Sequence, residues 1–303
     1  MSKYLLLLGT TPELSLLEVE SLLKQQPVRW NNRLVSIDLE SDQEAKQLMT
    51  ILGGTVKILK IVQELPETED QALAAIAAYL KRESDRPTFG ISAPKVESAV
   101  YRPQTVKKEL KKLGVSSRYR KSSNWGLSAA ILIHQTDVFD LLVVEKESQP
   151  YLLQTVAAQD IDEWSKRDRQ KPYANRKKGM LPPKVARMMV NIGLGRLDKD
   201  TTSKPVLYDP FAGSGTVLME ALVRGCQVIG SDLDHDAVAG SLENLYWLEK
   251  EYDQDFKYQV FQSDVAHVDK RDWQTKVDLV VTEPFLGKQT PKDKELDNIF
   301  TGL

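Results

Sequence analysis

VLYDPFAGSGTVLMEALVRGCQVIGSDLD, residues 206–234, is the stretch that decides the fold. Apolar Val206, Leu207 and Tyr208 lead into Asp209, a tight turn with Gly213 and Gly215, and the helical run TVLMEALVRG. A second apolar strand, QVIG, follows and ends at Asp232, 17 residues beyond Gly215. Strand, glycine turn, helix and strand in this order make a βαβ unit of an open parallel sheet. Glycines let the backbone approach a ligand closely, and a helix start offers N–H groups without intrahelical partners. An acid ending the second strand can accept both hydroxyls of a ribose.

The turn reads Gly-Ser-Gly-Thr-Val-Leu and lacks the third glycine of a dinucleotide fingerprint. No pyrophosphate is required, and Asp209 is badly placed for one. It is well placed for a cationic amino acid moiety, which favours S-adenosylmethionine over NAD. YQVFQSD (258–264) is a third strand ending in an acid, and Asp264 can accept a hydrogen bond from an adenine amino group.

KVDLVVTEPFLG (276–287) reads as the fourth strand, its run Val277, Leu279, Val280, Val281 broken only by Asp278. Ligands of open parallel sheets bind beyond the carboxyl ends of the strands, so Glu283, Pro284 and Phe285 are expected beside a methyl donor. The amino group of a nucleobase is a poor nucleophile because its lone pair is delocalised into the ring. A carboxylate and a backbone carbonyl accepting its two N–H bonds help to localise that pair. Phe285 would stack on a base taken out of its helix, and Pro284 fixes the backbone so that the carbonyl points inward.

Outward from this region, 303 residues lead us to expect two or three domains. There is no run of about 18 apolar residues, so no membrane association is expected. Cys226 is the only cysteine, which excludes an internal disulfide and suits a reducing cytoplasm. The net charge of −2 conceals an asymmetry. Residues 101–121 hold eight Lys and Arg against Glu109 alone, and residues 166–178 hold seven against Asp168. Residues 201–303 carry ten basic and eighteen acidic residues. Two basic clusters in an otherwise acidic chain point to a polyanionic partner.

The N-terminal part alternates strands and helices. YLLLLG (4–9), RLVSIDLE (33–40) and VKILKIVQEL (56–65) read as strands around helices 12–26 and 43–54, a small ferredoxin-like layer over residues 1–65. Residues 66–160 make a second unit: an Ala-rich helix 69–83, strand 88–94 and a basic helix 102–114. RYRKS, AAILIHQT, DLLVVEKE and YLLQTVAAQD follow and read as strands. Residues 161–183 form a polar, basic connector and 184–197 a helix. His134 is expected to be structural. His235 and His267 have no partners at metal-ligand spacing and one cysteine cannot build a zinc site, so no metal is expected.

Residues 206–287 resemble class I S-adenosylmethionine-dependent nucleic-acid N-methyltransferases, with DPFAGSGT as the first motif and TEPFLG in place of [DNS]PP[YF]. The whole chain resembles the tRNA guanosine-10 N2-methyltransferase family of archaea and eukaryotes. YLLLLGTTPELSLLEVESLL is similar to that family's opening segment, and WSKRDRQKPYANRKKGMLPPKVARMMVNIGLG to its connector. The resemblance implies an α/β architecture in which a Rossmann-like methyltransferase sheet (184–303) follows the ferredoxin-like layer and a THUMP-like RNA-binding domain (66–160). It further implies methyl transfer from S-adenosylmethionine to the exocyclic N2 of a guanosine in tRNA. Carried over by motif, Asp209, Phe211, Ala212, Gly213, Ser214 and Gly215 hold the methionine part of the cofactor. Asp232 with Leu233 holds ribose, Asp264 with Val265 holds adenine, and Glu283 with Pro284 receives the target amino group. Lys107, Lys108, Lys111, Lys112, Arg118, Arg120, Lys121, Arg167, Arg169, Arg176, Lys177 and Lys178 are the expected phosphate contacts. An activator subunit is a further candidate partner.

Two departures from the family stand out. Glu283 is one methylene longer than the usual Asp or Asn, and Phe285 and Leu286 stand where the second proline and the aromatic belong. Family members also continue beyond this motif, so the chain is expected to be a fragment whose sheet is incomplete on its C-terminal side. Two rivals stay open: a DNA amino-methyltransferase, in many of which the two motifs come in reverse order, and a tRNA-binding module without activity.

Overall fold

Five consecutive buried residues, Tyr4–Leu8, cannot turn one face to water, and they lie inside a sheet. The computed structural model describes residues 2–284 apart from 97, 136, 175–179, 198–203 and 271–275. The chain divides into two units: Met1–Leu16, Gln25–Ile51 and Thr55–Ile161 form one, and Leu17–Lys24, Leu52–Gly54 and Asp162–Leu303 the other.

Among the described residues the first unit is built on one eight-stranded sheet. Its strands are β1 (Ser2–Leu8), β2 (Val28–Arg29), β3 (Leu34–Leu39), β4 (Thr55–Glu64), β5 (Thr88–Ser92), β6 (Arg118–Tyr119), β7 (Val138–Lys146) and β8 (Gln149–Ala158), in the order β2-β3-β1-β4-β8-β7-β5-β6. Helices α1 (Pro12–Leu23), α2 (Asp42–Ile51), α3 (Glu69–Glu83), α4 (Pro103–Lys112) and α5 (Ala129–His134) connect them, the later part of α1 belonging with the second unit. Successive residues of β7 feed opposite cores, as a pleated strand requires. Leu141 and Val143 join Phe89, Ile76 and Leu80 on one face, and Leu142 and Val144 join Leu5, Leu34 and Leu59 on the other. β4 pairs antiparallel with β8, so the sheet runs unbroken past residue 65, where the sequence suggested a boundary.

AAILIHQT, expected as a strand, is instead helix α5. Ser128 caps it by accepting from Ile131 N, and the two alanines that open it favour a helix. His134 therefore ends a helix. RYRKS is strand only over Arg118–Tyr119. A buried ion pair holds the loop between these elements: Lys57 Nζ lies 2.6 Å from Asp140 Oδ2 and 2.8 Å from Trp125 O. Asp140 also accepts from Leu127 N and Thr155 Oγ1, both at 2.7 Å.

The second unit holds a parallel sheet. From Asp162 on it comprises the rest of α6 (Ile161–Ser165), continued by a wide turn over Lys166–Gln170, then α7 (Pro183–Gly195), β9 (Val206–Asp209), α8 (Thr216–Val223), β10 (Gln227–Asp232), α9 (His235–Tyr252), β11 (Tyr258–Gln262) and β12 (Leu279–Val280). Among the described residues its strand order is β11-β10-β9-β12, all neighbours parallel. Leu207, Leu218, Val228, Leu245 and Val281 fill the core with Cys226, whose thiol is raised to about 11 by burial.

Candidate active site

The chain leaves β9 in one direction to build β10 and β11, and returns on the other side with β12. That reversal opens a crevice at the carboxyl ends of β9 and β12. Asp209 ends β9, Asp232 ends β10, and Thr282 and Glu283 follow β12. Asp278, the polar break in an apolar run, sets the pairing. Its Oδ2 accepts from Val206 N at 2.8 Å, while its own N–H donates to Val206 O at 2.9 Å.

The glycine turn is tied to both acids. Gly213 and Gly215 take φ of +52° and +75°, conformations that side chains disfavour. A Cβ on Gly215 would stand 2.5 Å from Ser241 Oγ. Asp232 accepts from Gly213 N through one oxygen and from Asp234 N through the other, each at 2.9 Å. Ala212 is buried and donates its N–H to Ser231 O at 2.9 Å. Phe211 donates its N–H to Asp209 Oδ1 at 3.1 Å, and Thr282 Oγ1 donates to the same oxygen at 2.5 Å.

Asp209 is 1% exposed, with no cation within ion-pair distance among the described residues. Burial pushes its carboxyl up to about 7, the Thr282 and Phe211 donors pull it back, and nearby Asp232 and Glu283 raise it again. A buried acid held this way accommodates a positively charged ligand group. Together with the left-handed turn, it fits the ammonium end of an amino acid cofactor.

Beside the turn, the chain from the connector is clasped in place. Tyr173 N donates to Asn244 Oδ1 at 2.9 Å, and Asn244 Nδ2 donates to Tyr173 O at 2.9 Å and to Ser214 O at 2.8 Å. The Tyr173 ring lies directly on Gly240 of α9, where a Cβ would come within 2.2 Å. Lys171, 4% exposed, donates to Thr216 Oγ1 at 2.9 Å. The sequence does not single out Thr282 or Asn244, it offers Lys171 only as one cation of the basic connector, and it offers Tyr173 as an aromatic amid basic residues that could stack on a base. The connector reads simply as basic and polar, and Asn244 sits mid-helix.

The remaining expected site residues lie as follows. Leu233 is 67% exposed, and its carbonyl accepts from Gln262 Nε2 at 2.9 Å. Asp264 is exposed and caps the turn Val265–Lys270, accepting from Ala266 N at 3.0 Å. Glu283 is exposed, Pro284 is half-buried, and Phe285 lies outside the described residues.

The two basic clusters differ. On α4, Val106 and Leu110 face the core while Lys107, Lys108, Lys111 and Lys112 are exposed, as are Arg118, Arg120 and Lys121. In the connector, Arg169 is exposed, and Arg176, Lys177 and Lys178 lie outside the described residues. Arg167, expected to grip phosphate, does not point to solvent. It is 4% exposed and its Nε donates to Glu220 Oε1 at 2.8 Å. Arg187 meets the other Glu220 oxygen at 2.7 Å, and both guanidiniums lie over the Trp164 ring. Glu220 is fully buried and needs both cations, so the charge of Arg167 is spent inside the unit. No group of three metal-ligating side chains occurs among the described residues.

A family of domains described as "RMKL-like, methyltransferase domain" matches residues 173–303. The tRNA (guanine(10)-N2)-dimethyltransferase of Methanothermobacter thermautotrophicus is 36% identical over 112 residues, covering 36% of this chain and 28% of that protein. The chain thus matches less than a third of that relative's length. A protein of Methanothermococcus thermolithotrophicus named "Probable tRNA (guanine(10)-N2)-dimethyltransferase" is 36% identical over 129 residues, covering 40% of this chain and 70% of that one. Among solved structures, TrmN from Thermus thermophilus superposes with a TM-score of 0.56 at 15% identity, covering 99% of this chain and 83% of that one. At that identity the likeness speaks for the fold, the Rossmann-like sheet of class I methyltransferases.

Proposed function

The chain belongs to the tRNA (guanine(10)-N2)-dimethyltransferase family, and from that premise we propose that it binds S-adenosylmethionine and methylates the exocyclic N2 of a guanosine in tRNA. The observation that carries this reading is the hydrogen bond from Thr282 to Asp209, which joins the glycine turn to the segment bearing Glu283. A cation-accepting pocket and an exposed carboxylate are thereby brought to one crevice, as transfer from a bound donor to an incoming base requires.

Bound S-adenosylmethionine supplies a methyl group on a positively charged sulfur. Asp209 receives the ammonium of its methionine part, the 212–215 backbone receives the chain between, and Asp232 receives the ribose hydroxyls. Asp264, with Val265 and Leu233, flanks the adenine. Glu283 accepts one N–H of the guanine amino group and the Pro284 carbonyl accepts the other, which turns the nitrogen lone pair toward the methyl carbon. The bound donor would give up its methyl by cleavage of the C–S bond, the electron pair staying on sulfur as a neutral thioether, and Glu283 is placed to take the proton that the newly alkylated nitrogen releases.

The first unit supplies the tRNA grip in this reading. It acts as a THUMP-like RNA-binding domain, with the exposed cations of α4 and the 118–121 segment on phosphates, and Arg169 adds to them from the connector. The cytoplasm is where such an enzyme would meet its substrate.

The test is methyl-labelled S-adenosylmethionine with unmodified tRNA, followed by nucleoside analysis, with Glu283→Ala alongside. We expect N2-methylated guanosine from the wild type and a loss of about a hundredfold or more in the variant, with cofactor affinity retained. Folded wild-type chain that binds tRNA yet yields no labelled guanosine would overturn the proposal.

A further inference from the structure

Lys171 is a buried ammonium that touches no carboxylate among the described residues. It is 4% exposed, its one hydrogen bond goes to the neutral hydroxyl of Thr216, and it has no carboxylate within ion-pair distance among the described residues. Burial lowers its affinity for the proton, and Asp168 and Glu220 restore it only from a distance. Leaving a cation in such a place is costly unless something negative completes it.

Its location says what completes it. Thr216 is the first residue of α8, directly after Gly215, and its hydroxyl lies 3.3 Å from Ser214 Oγ. Gly215 has no side chain with which to cap the first turn, and α8 opens without an acidic residue there. The free N–H groups and helix dipole therefore favour an anion at the same spot as Lys171. Asp209, at the other end of the turn, offers an acid with no cation at ion-pair distance among the described residues.

We infer that Lys171 holds the α-carboxylate of the methionine part of the cofactor, while Asp209 holds its α-ammonium, so that the turn between them reads a zwitterion. The inference rests on the cofactor reading given above. Residues 171–173 thus bring into the pocket a cofactor-binding cation from a segment that reads as nucleic-acid-binding. The Asn244 clasp on Tyr173 keeps that cation in position.

The test compares two ligands by calorimetry on the full chain: S-adenosylmethionine and its decarboxylated analogue, which keeps the ammonium and the sulfonium. Wild type should bind the analogue about ten- to a hundredfold more weakly. Lys171→Met should weaken S-adenosylmethionine by a similar factor and leave the analogue unchanged, and Lys171→Arg should restore part of the difference. Equal wild-type affinity for the two ligands overturns the assignment of Lys171, and that result stands even if Lys171→Met fails to fold. An equal loss for both ligands in a folded Lys171→Met also overturns it. Wild type that binds neither ligand overturns the cofactor reading itself.

Discussion

The Thr282 hydroxyl donates to the Asp209 carboxylate at 2.5 Å, across 73 residues of sequence. One acid thereby senses both the glycine turn, through Phe211 N, and the strand end that carries Glu283.

Thr282→Val removes a donor from a buried acid and pushes its carboxyl up from about 7. We expect S-adenosylmethionine affinity at pH 7 to fall about tenfold, with part of the loss recovered at pH 8.5. Calorimetric titrations at the two pH values check this.

Asp209 should also leave a signature in stability. Its carboxyl titrates near 7 in the native state and near 3.8 when unfolded, so the native chain holds the extra proton between those values. Native stability attributable to this group is full below about pH 4 and declines as pH rises to about 7. Asp209→Asn should abolish that decline and be the more stable protein at pH 8, by on the order of 4 kcal/mol at most. Denaturant melts across pH measure it. Cofactor binding shows the opposite trend, weakening below pH 7 in wild type and lost in the variant.

Gly240→Ala ought to invert a familiar rule. Alanine in place of glycine within a helix usually stabilises by about 1 kcal/mol. Here the new Cβ would lie 2.2 Å from the Tyr173 ring, so the connector must lift away from α9. A lower melting temperature and weaker cofactor binding are expected together, and a more stable variant would contradict the packing described.

Two neighbouring arginines should behave as opposites. Arg167→Met strips a buried partner from Glu220 and should cost about 3–5 kcal/mol, read from chemical denaturation. Arg169→Ala, at an exposed position, should leave stability within about 0.5 kcal/mol. If Arg169 contacts phosphate as proposed, the salt dependence of tRNA binding should lose about one unit of slope.

Much of the second unit was legible because its signals are local. A strand, a left-handed glycine pair, a helix and a strand-terminal acid sit within 29 residues, each constrained by its own backbone chemistry. The connector was legible in charge but not in destination. Lys171 and Arg167 read like Arg169, yet the partners that bury the first two, Thr216 and Glu220, lie 45 and 53 residues away. AAILIHQT reads as a strand from its β-branched and apolar content, and the Ser128 cap that makes it a helix lies outside the apolar run. The eight-stranded sheet was hidden because β4 and β8 pair across a whole intervening βα segment, which no local pattern reports.

Asn244 fastens Tyr173 and Ser214 by three hydrogen bonds, two of them across 71 residues. Links of such span assemble late in folding, after the locally encoded helices and turns. They also let go early, in openings far smaller than global unfolding. Losing the Asn244 side chain should therefore loosen residues 171–173 from α9 while the paired strands of the parallel sheet keep their protection.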